Sequence, residues 1–195
     1  MKKIYKKFKF LKSIDEPKVL KKNSIKVISV KDYYLLPVSN FHLKSNKIIH
    51  KLTKWRNQNS FAFIDKKKVT FKSTKTWLKK RLLENEKKIL FLIVSKSKDE
   101  IGHLGLDNFD EKDNSIEIDN VIKGINDKKK NISSKCLITI MKWSQKNFMI
   151  KKFKLKVLAS NLRAIKFYYK NNFEIKKIIR LKNNKDFYYL MQNYL

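Results

Sequence analysis

Several polar side chains of this chain could take part in acid–base chemistry on an anionic ligand. The phenol of Tyr168, on a predicted helix, can donate a proton, and the carboxylate of Glu117, on a predicted strand, can accept one. Residues 128–134 run into the start of a further predicted helix. The unpaired backbone N–H groups and partial positive charge of a helix N-terminus suit a pyrophosphate.

The segment from Val157 to Phe173 carries the pattern V-x-x-x-N-x-x-A-I-x-(L/F)-Y-x-K-x-(G)-F, in which Asn161 and Tyr168 are the Asn and the Tyr. This pattern resembles the last conserved block of the GCN5-related N-acetyltransferase (GNAT) superfamily, in the branch of bacterial nucleotide-sugar and RimJ/RimL-type enzymes. The resemblance implies an acyltransferase that uses acetyl-CoA and no metal. It also implies an α/β (α+β) GNAT fold, with a mixed central sheet of about six to seven strands flanked by about four helices.

The resemblance assigns roles to two residues of this block. Asn161 is expected to contact the CoA arm, and Tyr168 is expected to protonate the departing thiolate. Each has a structural alternative, because Asn161 can cap the helix and Tyr168 can fill the core. Tyr169 is expected to face outward or to pack on the N-terminal segment. Asn172 stands where the pattern usually has a Gly before Phe173. Asn can take this position because it adopts the left-handed backbone conformation at the end of a helix.

The phosphate loop of the superfamily has the pattern (Q/R)-x-x-G-x-(G/A), which aligns with Lys128, Asn131 and Ser133. Neither glycine is present, but Asn tolerates left-handed backbone and Ser is small. The predicted cofactor-binding residues here are Lys128, Lys129, Lys130, Asn131, Ile132, Ser133 and Ser134. The alternative is a solvated lysine turn capped by Ser133 or Ser134.

The strand predicted over residues 115–122 is the one that splays from its neighbour in the superfamily and binds the pantetheine arm. Val121, Ile122 and Lys123 are therefore predicted to contact the cofactor. Glu117 is the predicted base for the incoming amine; the alternative is a solvent-facing residue paired with a lysine. Asp119 and Asn120 are predicted to bind the acceptor.

Two short runs indicate the acceptor. Residues 119–124 (DNVIKG) are similar to a run in acetyltransferases encoded with bacterial surface-polysaccharide sugar pathways, and residues 55–57 (WRN) to a run common in the same branch. Arg56 is predicted to hold a phosphate or carboxylate of the acceptor, whereas Trp55 is interpreted as a core residue. His103 is a further acceptor-side candidate, with a hydrogen-bonded structural role as its alternative.

These runs favour, as acceptor, the amino group of a nucleotide-linked deoxysugar used in polysaccharide biosynthesis. The first alternative is a protein amine, as in ribosomal-protein acetylation. The second is a basic binding module on the same fold that has lost its cofactor chemistry.

The net charge of +31 does not by itself predict a nucleic-acid partner. Of the 48 basic residues only four are Arg (56, 81, 163 and 180), although Arg is the preferred residue for bidentate phosphate and base contacts. The lysines are spread along the whole chain, as an AT-rich coding bias produces. A positive field still attracts an anionic acceptor or CoA. A homodimer is compatible with the sequence.

Hydrophobic periodicity and turn residues divide the chain into a Lys-rich N-terminal extension, residues 1–30, and a GNAT domain, residues 31–195. Strands are predicted over residues 32–38, 89–95, 101–109, 115–122, 153–158, 173–180 and 187–191. Helices are predicted over residues 46–57, from Ser73 or Thr74 onward, over 133–147 and over 161–171.

The remaining features indicate a cytoplasmic protein. The longest apolar run, residues 89–94, suits a buried strand and is too short to span a membrane. No apolar segment or cleavage site follows the basic residues 1–8, so a secretory signal is not predicted. The single Cys136 excludes an internal disulfide, and the three histidines lack metal-ligand spacing.

Overall fold

One eight-stranded mixed sheet organises the protein, whose computed structural model describes residues 2–97, 99–125, 131–180 and 187–194. The strands are β1 (Ile25–Lys26), β2 (Tyr33–Pro37), β3 (Ile89–Ser95), β4 (Glu100–Asp110), β5 (Ser115–Lys123), β6 (Lys152–Leu158), β7 (Glu174–Arg180) and β8 (Phe187–Tyr194). The helices are α1 (Lys2–Ser13), α2 (Pro17–Lys22), α3 (Asn40–Leu43), α4 (Asn46–Gln58), α5 (Phe71–Trp77), α6 (Ile132–Phe148) and α7 (Leu162–Lys170). The predicted mixed α/β class is confirmed.

The strands lie in the order β1-β2-β3-β4-β5-β6-β8-β7. Within the described residues, all neighbouring strands are antiparallel except β5 and β6, which are parallel. Parallel neighbours need a long crossover connection, and α6 lies in the connection between these two strands.

The two faces of the sheet bury separate hydrophobic clusters. The main core joins one face to α1, α6 and α7, and its largest members include Phe8, Phe91, Leu137, Phe153 and Phe173. The second core joins the other face to α4 and to the π-helical turn that follows α5, and it includes Ile49, Trp55, Leu82, Leu92 and Ile122.

A β-bulge interrupts the pairing of β4 with β5. Two steps along β4, from His103 to Gly105, face three steps along β5, from Ile122 to Asp119. Asn120 lies in the extra step with a left-handed backbone, φ 50°, which Asn adopts more readily than most residues.

The bulge changes which face the side chains of β5 occupy. Ile118 and Ile122 are four residues apart and would share one face of a regular strand. Instead Ile118 packs in the main core and Ile122 in the second core. The bulge therefore redirects β5 at its middle, at the residues predicted to contact the ligands.

The predicted extension, residues 1–30, contributes to the main core. Ile4, Phe8 and Leu11 of α1 and Leu20 of α2 are all buried there. Lys12 is also buried, and its ammonium donates to the backbone carbonyls of Leu82 and Asn85, close to the end of the π-helical turn. Burial lowers the pKa of Lys12 to about 8.

Three element predictions need correction. The second predicted helix begins at Phe71 instead of near Ser73 or Thr74, because Thr70 and Ser73 form a capping box one turn earlier. The sheet has eight strands instead of six to seven, since the two-residue β1 pairs with β2. The described chain also contains seven α-helices instead of about four, because the prediction lacked α1, α2 and the one-turn α3. Among the described residues, none of these helices is long and apolar enough to cross a membrane.

Candidate active site

The two parallel strands of the sheet, β5 and β6, diverge along their length. Strands β5 and β6 pair only over residues 115–117 and 152–154. Beyond Glu117 no described residue of β6 pairs with β5, although both strands continue. A cavity of about 550 Å³ lies at this divergence. It gives access to the unpaired edge of β5 from both faces of the sheet.

On the main-core face, α7 contributes the phenol of Tyr168 to the cavity wall. The side chain is only 8% exposed and packs on the rings of Phe167 and Phe173. Burial, and secondarily the charge of Asp119, raises the pKa of Tyr168 well above its ordinary value. The phenol therefore stays protonated near neutral pH and is available as a proton donor.

Asn161 lines the same wall and also caps the helix. Its Oδ1 accepts a hydrogen bond from the backbone N–H of Ala164, 3.2 Å away, so the capping role that the sequence left open is present. Ala164 and Phe167 also line the cavity. Capping fixes the start of α7 and thereby the position of Tyr168, two turns later.

The start of α6 contains the described part of the predicted phosphate loop. Asn131 has the predicted left-handed backbone, φ 62°, and Ser133 lines the cavity. Ile132 is buried in the main core, and Ser134 accepts a hydrogen bond from Asn171, so these two do not line the cavity. The remaining predicted loop residues, Lys128, Lys129 and Lys130, lie outside the described residues.

On the opposite face, Glu117 carries the carboxylate nearest to the point where the strands separate. Its Oε2 accepts from Lys156, at 3.1 Å, and from Asn108, at 3.2 Å, whereas Oε1 has only a 3.4 Å contact with Lys156. The lysine pairing that was the structural alternative is therefore present. Oε1 still has capacity to accept a proton from a ligand in the cavity.

Asp119 is the second carboxylate of this wall, two residues along β5 and on the same side as Glu117. Lys88 bridges it to Asp107, with both N–O distances 2.8 Å, and Asn120 donates to it at 2.6 Å. These contacts partly offset the charge of Asp119 and fix its orientation. Asn120 itself also lines the cavity, as do the predicted cofactor contacts Val121, Ile122 and Lys123.

Arg56, at the end of α4, brings a guanidinium to the far side of the cavity. The guanidinium stacks over the ring of Phe63, 3.8 Å from the ring centroid, and Nη2 donates to the carbonyl of Asp65. In the described part of the chain Nη1 is buried and has no hydrogen-bond partner. Burial also lowers the pKa of Arg56. The contacts orient a cation that no described carboxylate neutralises through an ion pair.

His103 does not reach the cavity. It is 4% exposed, and its Nδ1 lies 2.7 Å from the carbonyl oxygen of Asn120 in the bulge. Burial lowers its pKa to about 4, so the ring is neutral at physiological pH. The ring of Trp55 lies 6.0 Å from that of His103, and Trp55 is a buried core residue as interpreted from the sequence. The geometry thus supports the hydrogen-bonded structural role for His103.

The profile of the acetyltransferase (GNAT) domain family matches residues 46–191 of the sequence. The chain belongs to this family. The family predicted from residues 157–173 and the predicted class of acyl-CoA-dependent N-acetyltransferase are therefore confirmed. No curated protein is a detectable sequence relative.

Solved structures of low sequence identity share the GNAT fold of this protein. A probable GNAT-family acetyltransferase from Chromobacterium violaceum superposes with a TM-score of 0.70 at 12% identity, covering 87% of this chain and 86% of that one. The ribosomal L7/L12 α-N-protein acetyltransferase RimL, solved with coenzyme A, gives 0.69 at 13% identity, with coverages of 89% and 98%. The dodecameric spermidine N-acetyltransferase of Vibrio cholerae gives 0.62 at 14%, with coverages of 85% and 95%.

Several cavity-lining residues of this GNAT protein were not predicted from the sequence. Those from the loop after α4 are the residues from Asn59 to Asp65 apart from Ser60. The others are Ile118, Lys156, Val157, Arg163, Ala164, Phe167 and Tyr188. Lys156 and Tyr188 come from β6 and β8, whose adjacency is a long-range pairing. The rarity of Arg was a signal that could have identified Arg163, since two of the four arginines line this cavity.

Proposed function

We propose that this GNAT protein transfers an acetyl group from acetyl-CoA directly to a primary amine, with the cofactor on the α6/α7 side of the sheet and the amine on the α4 side. One observation carries the proposal. The cavity passes between the diverging strands, with Tyr168 on one side and Glu117 on the other. A proton donor and a proton acceptor thus lie on the two sides of this cavity.

The residues of the chain fit acetyl-CoA. The edge of β5 beyond Glu117 offers backbone groups to an extended ligand, and Val121, Ile122 and Lys123 lie along it. Ser133 and the left-handed Asn131 form the start of α6, where a pyrophosphate is favoured. Asn161 lies between these two regions on the cavity wall.

Acetyl-CoA, when bound, supplies the thioester carbonyl for attack and a thiolate as leaving group. Glu117 takes a proton from the acceptor amine through Oε1, because Oε2 is already held by Lys156 and Asn108. Tyr168 gives its proton to the thiolate, and its buried environment keeps that proton in place until then. The two groups lie on opposite sides of the opening, so one receives a proton where the amine enters and the other donates where the thiol leaves.

The charges on the acceptor side favour an anionic acceptor. Arg56 lines the cavity as an oriented cation, and the whole chain carries +31. Lys156 pairs with Glu117 and Lys88 pairs with Asp119, and these positive charges weaken the attraction of the acceptor side for a polycation such as spermidine. We therefore place the amino group of a nucleotide-linked deoxysugar first, in agreement with the runs at 55–57 and 119–124. An N-terminal protein amine is the second candidate, favoured by the structural similarity to RimL.

Thermal unfolding with acetyl-CoA, at low and at moderate salt, tests the cofactor. At a ligand concentration about 100 times the dissociation constant, the expected stabilisation is about 2.7 kcal/mol. Inorganic tripolyphosphate is the matched control, because binding to surface lysines alone is lost at moderate salt. Stabilisation by acetyl-CoA that persists at moderate salt supports the enzyme. Absence of any stabilisation would leave the binding module as the better account of the fold.

Thiol release from acetyl-CoA then separates the acceptors. The three probes are a UDP-linked 4-amino-4,6-dideoxyhexose, an acidic peptide with a free N-terminus, and spermidine. Turnover of the sugar or the peptide in preference to spermidine is expected. Preferential turnover of spermidine would contradict an anionic acceptor.

A further inference from the structure

A second phenol, Tyr188, lines the cavity on the acceptor side. Strand β8 pairs with β6 so that Tyr188 lies opposite Leu158, and Leu190 opposite Lys156. Directly paired residues share one face of a sheet, and alternate residues along a strand do so too. Tyr188 therefore shares the face of Lys156, which is the ion-pair partner of Glu117.

The next residue of β8 has the opposite orientation. Tyr189 packs against the main core, together with Met191 two residues further on. The two adjacent tyrosines of β8 thus lie on opposite faces of the sheet: Tyr189 packs on the main core, and Tyr188 lines the cavity. The chain therefore provides its own control for a substitution at position 188.

The environment of Tyr188 is that of a ligand-binding group. Burial raises the pKa of its phenol, and the charges of Asp119 and Glu117 raise it further. Both carboxylates line the same cavity as Tyr188. No described residue forms a hydrogen bond with its hydroxyl group. A neutral phenol whose hydroxyl bonds to no described residue therefore lines the same cavity as these two carboxylates.

We infer that the hydroxyl oxygen of Tyr188 binds the acceptor amine and, together with Glu117, selects a primary amine in the orientation needed for attack. The inference rests on the proposed function. A neutral primary amine has two N–H groups and one lone pair. If Glu117 accepts one N–H and Tyr188 the other, the lone pair is left pointing away from both, toward the opening between β5 and β6. A secondary amine lacks the second N–H and cannot make both contacts.

Steady-state kinetics of Tyr188→Phe at saturating acetyl-CoA test this inference, with Tyr189→Phe as the matched control. The probes are the UDP-linked 4-amino-4,6-dideoxyhexose, methylamine and dimethylamine. Loss of one hydrogen bond should raise the KM for the primary amines roughly tenfold and change kcat less than twofold. The preference for methylamine over dimethylamine should fall by a similar factor. Tyr189→Phe should leave both the KM and this preference unchanged.

The outcomes separate this inference from the proposed function. An unchanged KM in Tyr188→Phe, or an equal change in Tyr189→Phe, would overturn the role of Tyr188. So would weaker stabilisation of Tyr188→Phe than of the unmodified protein by acetyl-CoA alone, since that would place the phenol in the cofactor site. A protein that acetyl-CoA stabilises but that acetylates neither these three amines nor the acidic peptide with a free N-terminus would overturn the acceptor site described here. If acetyl-CoA fails to stabilise the unmodified protein, the proposed function itself fails, and the inference with it.

Discussion

Gly124 packs directly against the indole ring of Trp55. A Cβ atom at position 124 would lie 2.1 Å from Cε2 of Trp55 and 2.4 Å from its Cδ2 and Nε1. The two short runs that indicated the acceptor, residues 55–57 and 119–124, therefore meet in space. Their contact anchors the end of β5 to α4, close to the cavity residues Arg56 and Lys123.

We expect Gly124→Ala to lower the free energy of unfolding by about 1–3 kcal/mol, because Trp55 is 2% exposed and has little room to move. Urea denaturation measures the change. The double variant Gly124→Ala/Trp55→Phe is the control, since the smaller ring makes room for the new methyl group. The cost of Gly124→Ala should be smaller in the Trp55→Phe background than in the unmodified one. Equal costs in the two backgrounds would show that this contact is not the source of the strain.

Tyr168→Phe should lower kcat by roughly 10²–10⁴-fold and leave acetyl-CoA binding nearly unchanged, because it removes a general acid without removing the buried ring. Pre-steady-state and steady-state thiol release measure the effect. Tyr169→Phe is the matched control, since Tyr169 is the next residue and is 49% exposed. A kcat for Tyr168→Phe within twofold of that of the unmodified enzyme would show that Tyr168 is not the general acid. Its role would then be to fill the core, the alternative that the sequence left open.

The features that followed from local sequence were predicted well. Strand β3 has the predicted bounds, and Asn131 and Asn172 both adopt the left-handed backbone expected when Asn replaces Gly, each with φ 62°. These features depend on residue type and near neighbours. The helix α1 was missed although Ile4, Phe8 and Leu11 have helical spacing, because nearby lysines lower the apparent hydrophobicity of the segment.

The features that depend on long-range pairing were not accessible from one sequence. Tyr188 reaches the cavity because β8 inserts between β6 and β7, and periodicity cannot reveal that order. The bulge at Asn120 likewise depends on the register between β4 and β5. It withdraws His103 from the predicted acceptor side into a hydrogen bond with the backbone of Asn120.

Glu117→Gln should lower the acetylation rate near neutral pH by roughly 10²-fold and restore part of it at higher pH. Glutamine keeps the size of the side chain but cannot accept the proton of the amine. As the pH rises toward the pKa of the acceptor itself, more of the amine is already neutral and needs no base. The pH–rate profile of the UDP-linked amino sugar measures this. Glu111→Gln, a substitution in the exposed β4–β5 turn, is the control. Parallel pH profiles for Glu117→Gln and the unmodified enzyme would contradict the base role.

Arg56→Lys should raise the KM for the UDP-linked amino sugar roughly tenfold and leave the KM for methylamine unchanged. Lysine keeps the charge but loses the planar group that stacks on Phe63 and can bind a phosphate with two N–H groups. Arg81→Lys, on the exposed side of the π-helical turn, is the control. An equal rise in the KM for methylamine would mean that Arg56 supports the shape of the site and does not bind the anion.

The buried histidines should make the fold sensitive to acid between about pH 6.5 and pH 4. Burial lowers the pKa of both His42 and His103 to about 4, so the unfolded chain binds protons in this range that the folded chain does not. The contribution of each neutral histidine to the free energy of unfolding is therefore fully present above the ordinary pKa of His. It is lost as the pH drops toward 4, by roughly 3 kcal/mol for each histidine. Urea denaturation at several pH values measures the slope. His103→Gln should make that slope shallower, whereas His50→Gln, at an exposed position, should not. A slope in His103→Gln as steep as that of the unmodified protein would mean that His103 is not held neutral by the fold.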